Sequence, residues 1–132
     1  MVEQTWQIPR NDFEKARIAR REFVALLQER ADAESDFSAA ELIFGELVAN
    51  AVRHAATNAV VVLRLSTDAC LRVSEDSDSE WSDDIRPAEP HAVGGRGLYI
   101  VRSLAEKLEF ERLDPGLAVS AVLPVRLREP HA

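Results

Sequence analysis

Apolar and polar positions change period several times along the chain, and each change marks an element. Thr5-Trp6-Gln7-Ile8 alternates and then meets Pro9, the pattern of a short edge strand. Asn11, with Glu14 three residues on, fits a helix N-cap and its capping-box partner. From Phe13 to Arg30 the residues Phe13, Ala16, Ala19, Phe23, Val24, Leu26 and Leu27 share one arc at helical spacing. Arg20 projects into that arc and Ile18 away from it. A polar connection, Ala31 to Asp36, leads to Ser38-Ala39-Ala40-Glu41, a second capping box. The helix it opens is expected to end near His54 or Ala55, with Ile43, Phe44, Leu47, Val48 and Ala51 as its core stripe.

Asn58 signals a turn. The β-branched run Ala59 to Leu65, a turn at Thr67-Asp68 and the alternating Cys70 to Ser74 then predict a β-hairpin. Residues 75 to 93 follow neither period and predict a loop or lid. A third helix is expected over Leu98 to Ala105. A strand over Leu108 to Leu113, a turn at Asp114-Pro115-Gly116 and a last strand from Leu117 to Val125 complete the chain. The order β-α-α-β-β-loop-α-β-β predicts an α/β (α+β) two-layer sandwich. Its sheet is mixed, mostly antiparallel, and three helices cover one face.

Composition narrows the class. With 132 residues, 46% of them hydrophobic and 30% charged, the chain has room for one domain with a single core. A formal net charge of -7 argues against duplex DNA as the main partner, since phosphates select cationic surfaces. The one cysteine, Cys70, excludes an internal disulfide and a Cys-based metal site, and reads as a small buried strand residue. No apolar run approaches a membrane span, and Met1 to Thr5 carries no signal core, so a cytoplasmic, bacterial-type protein is expected.

The candidate chemistry lies in two segments. Glu46, Asn50 and His54 are spaced i, i+4, i+8 and line one side of the second helix, at the margin of its core stripe. An Asn oxygen there suits Mg²⁺, and a Glu one turn away suits proton abstraction. The same spacing also fits a solvated helix face, and His54 alone fits a helix C-terminus. Gly94-Gly95-Arg96-Gly97 precedes a helix, where free N–H groups and the helix dipole favour phosphates; a flexible hinge is the competing reading. Three of the five glycines fall in these four positions, which disfavours random loop composition.

Together the segments are far more specific. Glu46 to Ala55, Glu-Leu-Val-Ala-Asn-Ala-Val-Arg-His-Ala, resembles the N-box of the GHKL (Bergerat-fold) ATPases. The likeness is closest to the anti-sigma-factor serine-protein kinases of bacterial stress and sporulation partner switches. Gly94-Gly95-Arg96-Gly97-Leu98-Tyr99-Ile100-Val101 resembles their G2 box, and the likeness runs from about Trp6 to Val125. It implies that Asn50 coordinates Mg²⁺ between ATP phosphates and that Glu46 is the general base for a partner's serine. It implies a nucleotide site that includes Arg53, His54, Gly94, Gly95, Arg96, Gly97 and Leu98, under an ATP lid at about 76–96. It further implies a STAS-type anti-anti-sigma protein and a sigma factor as partners, and a homodimer. The first helix, with Arg20 foremost, would help form the dimer or sigma-factor contact.

Two segments depart from the family pattern. The G1 box reads apolar-x-Asp-x-Gly, with the Asp accepting from the adenine amino group; here Val73-Ser74-Glu75-Asp76-Ser77 puts Glu75 in the Asp place and Ser77 in the Gly place. A one-residue slip would offer Asp76 instead. The extra methylene of Glu75 reaches about 1.5 Å further. In the last strand Ala118 stands where the family often has a Thr. These departures carry an alternative reading, a catalytically degenerate, nucleotide-independent anti-sigma or adaptor module. The ATP-binding domain of a sensor histidine kinase is a third reading, disfavoured because the first helix holds no histidine. The acidic stretch with Trp81 reads as a solvated lid rather than a calcium loop, whose glycine position Trp81 occupies.

Overall fold

The structure, a computed structural model, describes residues 1–78 and 95–128, the side chains of residues 95–97 excepted. The described elements are β1 (Val2–Pro9), α1 (Phe13–Arg30), α2 (Phe37–His54), β2 (Asn58–Leu65), β3 (Ala69–Glu75), α3 (Gly95–Leu104), β4 (Lys107–Arg112) and β5 (Leu117–Val122). The five strands form one sheet in the order β1-β2-β3-β5-β4. Every pairing is antiparallel, so the described sheet carries none of the mixed pairing that was also expected. The three helices pack on one face, giving the expected two-layer α/β sandwich.

Alternation sorts the strand residues between the two faces. Trp6, Ile8, Val61, Leu63, Leu71 and Val73 point at the helices and are buried. Ile43, Leu47 and Val48 of α2 meet them from above, and Phe23 of α1 stacks on Phe44 with ring centroids 4.4 Å apart. Trp6 meets the same ring edge-on at 5.8 Å, and its indole N–H donates to Glu22, so its polar end is satisfied at the rim of the core. The opposite face carries cross-strand ion pairs, Arg64–Glu3 at 3.0 Å and Arg72–Glu111 at 3.1 Å. Cys70 belongs to that face and is partly exposed, so it is not the buried strand residue expected. Partial burial, with Asp68 nearby, pushes its thiol above the ordinary value.

Several boundaries differ from expectation, each for a local reason. The N-cap of α1 is Asp12, whose Oδ1 accepts from the Lys15 N–H at 3.0 Å, not Asn11. Asn11 instead takes a left-handed φ of 61° and donates its N–H to the Val52 carbonyl, turning the chain into the helix. Likewise Asp36, not Ser38, caps α2 by accepting from the Ala39 N–H at 3.0 Å. β1 is longer than expected because β2 pairs with it along its whole length. β5 is shorter, stopping at Val122. Pro124 has no N–H for a ladder, and Val125 donates back to the Leu123 carbonyl.

No helix among the described residues is long and apolar enough to cross a membrane. The expected lid, Trp81 and Gly94 included, lies largely outside the described residues; of that stretch only Asp76, Ser77, Asp78 and the start of α3 fall within them.

Candidate functional site

The sheet-facing side of α2 and the ends of β3 and β5 enclose a shallow recess. Its free interior is only about 10 Å³, room for about one water molecule, and the rest is open to solvent. Leu47 and Ala51 form the apolar wall on α2, and Asn50 and His54 stand at its lip one turn apart. Val73 and Glu75 of β3, and Leu117 and Val119 of β5, form the opposite wall. Register produces this meeting: Glu75 pairs with Leu117 and Val73 with Val119, so all four point to the helix face.

Asn50 is half-buried, and among the described residues its amide makes no hydrogen bond. Glu46, one turn earlier on the same side, is also half-buried and equally without a partner there, although it does not line the recess. Among the described residues, the helix thus presents a carboxylate and an amide without partners in succession. Arg53 is exposed and lies outside the recess.

Glu75 and Ser77 are the only buried polar residues among those described, 6% and 3% exposed. The Glu75 carboxylate accepts the Ser77 N–H on Oε2 and the Ser77 hydroxyl on Oε1, each at 3.0 Å. Sequence reasoning treated Ser77 only as a substitute for glycine and missed this fork; two polar residues at i and i+2 after a buried strand were the available signal.

Asp76 points elsewhere. Its Oδ1 accepts the N–H groups of Ala56 and Thr57, both at 2.9 Å, and Oδ2 takes the Thr57 hydroxyl. Burial alone would raise this carboxyl. The hydrogen bonds from the Thr57 hydroxyl and from the Thr57, Ala56 and Asn58 backbone outweigh it and hold the group below the ordinary value. Asp76 therefore fastens the exit of α2 to the end of β3. On the other flank Gly116, at φ +105°, lies against the Glu75 backbone, where a Cβ would come within 1.8 Å of the carbonyl oxygen.

Ala118, the position matched to the family's Thr, pairs with Ser74 and alternates onto the face away from the helices, while Leu117 and Val119 face the recess. Gly95 and Gly97 fall in the first turn of α3, where N–H groups lack intrahelical partners. Arg96 shares that turn, and Leu98 is half-buried against the core. Arg20 lies away from all of these. It sits in a groove between α1 and α2 beside Phe13, Arg17 and Gly45, with its Nε 3.7 Å from Glu41.

No curated protein matches the chain as a relative. A family model described as a histidine kinase-like ATPase domain matches residues 10–123, a span that takes in α1, α2, the recess and β5. With the two-layer sandwich, the match over most of its length and the α2 residues Glu46 and Asn50 beside that recess, the chain belongs to the histidine kinase-like ATPase domain family.

Proposed function

We propose that the chain binds Mg·ATP at this recess and acts as a serine-protein kinase on a STAS-type anti-anti-sigma protein, with a sigma factor as the competing partner. The observation that carries the reading is the juxtaposition at α2: Asn50 and Glu75 line one recess, and Glu46, which has no partner among the described residues, stands a turn from Asn50. The residues fit a magnesium nucleotide. A buried carboxylate has about four acceptor positions, and Ser77 fills two, so Glu75 keeps capacity for an exocyclic amine. The Asn50 side-chain oxygen is a hard ligand of the type Mg²⁺ takes. The first-turn N–H groups of α3, at Gly95 and Gly97, would receive phosphate oxygens. Arg53 and His54 would add polar contacts near the phosphates.

The bound nucleotide would supply the transferable phosphoryl group. Glu46 would take the proton of the partner's serine hydroxyl onto its carboxylate as that oxygen becomes the nucleophile. Asp76 would help keep Glu75 still while this happens, since its carboxylate ties the adjoining backbone to Ala56 and Thr57. Arg20, half exposed in its groove, would contact the partner proteins, and the chain would work as a homodimer in the cytoplasm.

Titration calorimetry with ATP, with and without Mg²⁺, tests the site. Mg²⁺-dependent binding that is lost in Asn50→Ala is the expected result. With the STAS-type partner added, Glu46→Ala should bind ATP yet transfer no phosphate. Undiminished transfer would remove Glu46 from the base role. Absence of ATP binding in the unaltered chain would leave the nucleotide-independent adaptor as the better account.

A further inference from the structure

We infer that Glu75 and Ser77 are one matched unit, in which Ser77 is a positioning residue that sets the carboxylate for reading an exocyclic amine. The inference rests on the nucleotide reading above and goes beyond it. The family pattern at these two places is a short acid followed by glycine. Here a longer acid is followed by serine, and the structure ties the two changes together. A glutamate has one more rotatable bond than an aspartate and, left free, would spread its carboxylate over several positions. Ser77 removes that freedom with two bonds at 3.0 Å: its backbone N–H, which a glycine there would also offer, to Oε2, and its hydroxyl, which only the serine side chain brings, to Oε1.

The backbone beneath the pair is also held from two directions. Gly116 allows close approach to the Glu75 carbonyl, and Asp76 is bonded to Ala56 and Thr57. The carboxylate is therefore fixed at its base and at its tip, in the wall of the recess that Asn50 also lines. Each carboxylate oxygen retains an acceptor position after the Ser77 bonds. A base carrying an amino group satisfies those positions; one carrying a carbonyl oxygen at the same place leaves a buried acceptor facing another acceptor.

The experiment is a double-mutant cycle on the full chain: Ser77→Gly, Glu75→Asp and the pair, with Ser77→Ala as a variant that leaves the backbone stiff. Binding of Mg·ATP and Mg·ITP is measured by calorimetry, because the two differ in having an amino group or an oxygen at one ring position. Melting of the nucleotide-free protein is recorded alongside. Ser77→Ala and Ser77→Gly should each weaken ATP binding roughly tenfold or more while leaving ITP binding nearly unchanged, so the preference for ATP narrows. Glu75→Asp should also weaken ATP binding, because the shorter acid no longer reaches the Ser77 hydroxyl. The paired variant should recover to within about threefold of the unaltered chain.

Losses that simply add in the paired variant would overturn the matched unit. So would Ser77 variants that melt earlier yet keep the full preference for ATP over ITP, since that is the behaviour of a purely structural bond. If the unaltered chain binds neither nucleotide, the nucleotide reading itself fails and takes this assignment with it. That result is distinct from ATP binding with additive losses, which overturns the matched unit alone.

Discussion

Asp76 sits next to a buried acid yet does a different job. Its carboxylate gathers donors from Ala56, Thr57 and Asn58, and these hold it below the ordinary aspartate value of 3.8 despite the opposing effect of burial. A folded-state value below the unfolded one means that these bonds stabilise the fold at pH above the unfolded value. The stabilisation is lost as the pH falls through the folded value. Solvent reaches the carboxylate, which keeps the gain to about 1 kcal/mol. Asp76→Asn should therefore lower the urea midpoint at pH 7, and the deficit should be smaller at pH 3. An equal deficit at both pH values would mean that charge plays no part in fastening α2 to β3.

At the scale of the element, α2 performs two tasks on two faces. Its core stripe anchors the helix layer: Phe44 is fully buried, stacked on Phe23 and edge-on to Trp6. Its margin carries Glu46, Asn50 and His54 toward the recess. The stripe sets the rotation of the helix and so sets where the margin points. Phe44→Ala should cost about 3–5 kcal/mol in chemical denaturation, the range for removing a buried aromatic ring. A loss below about 1 kcal/mol would show that the three-ring cluster collapses to fill the space and that the stripe does not fix the helix.

For the whole molecule, the recess joins elements that are separate in sequence and would be filled by anything that binds across it. Binding to the native state alone raises its stability, by about 2.7 kcal/mol at a hundredfold excess over Kd. Mg·ATP at that excess should raise the melting temperature by several degrees, and Asn50→Ala should abolish the rise. An unchanged melting temperature at millimolar Mg·ATP, with partner binding kept, would identify a chain that retains the fold as a binding module. The chain is acidic overall, at -7, while α1 brings Arg17, Arg20 and Arg21 to one local groove, which the proposed partner proteins would meet as a cationic patch.

The elements and their order were legible in the residue pattern, because helical and strand periods are local properties of neighbouring side chains. The pattern also placed Glu46 and Asn50 a turn apart on one helix side, which needs no knowledge of the rest of the fold. The start of each helix was less legible. Asn11 and Ser38 are good caps by type, but the chain turns at Asn11 and enters α2 at Asp36, so the adjacent aspartates reach the free N–H groups. Tertiary structure alone decided that Glu75 would face Asn50 and that Ala118 would face away. Both follow from the register of β3 on β5, and a shift of one residue would exchange the two faces. It alone turned Ser77 onto Glu75 and Asp76 onto Thr57. Which donor a carboxylate meets depends on which segments the fold brings alongside it, and no local period encodes that.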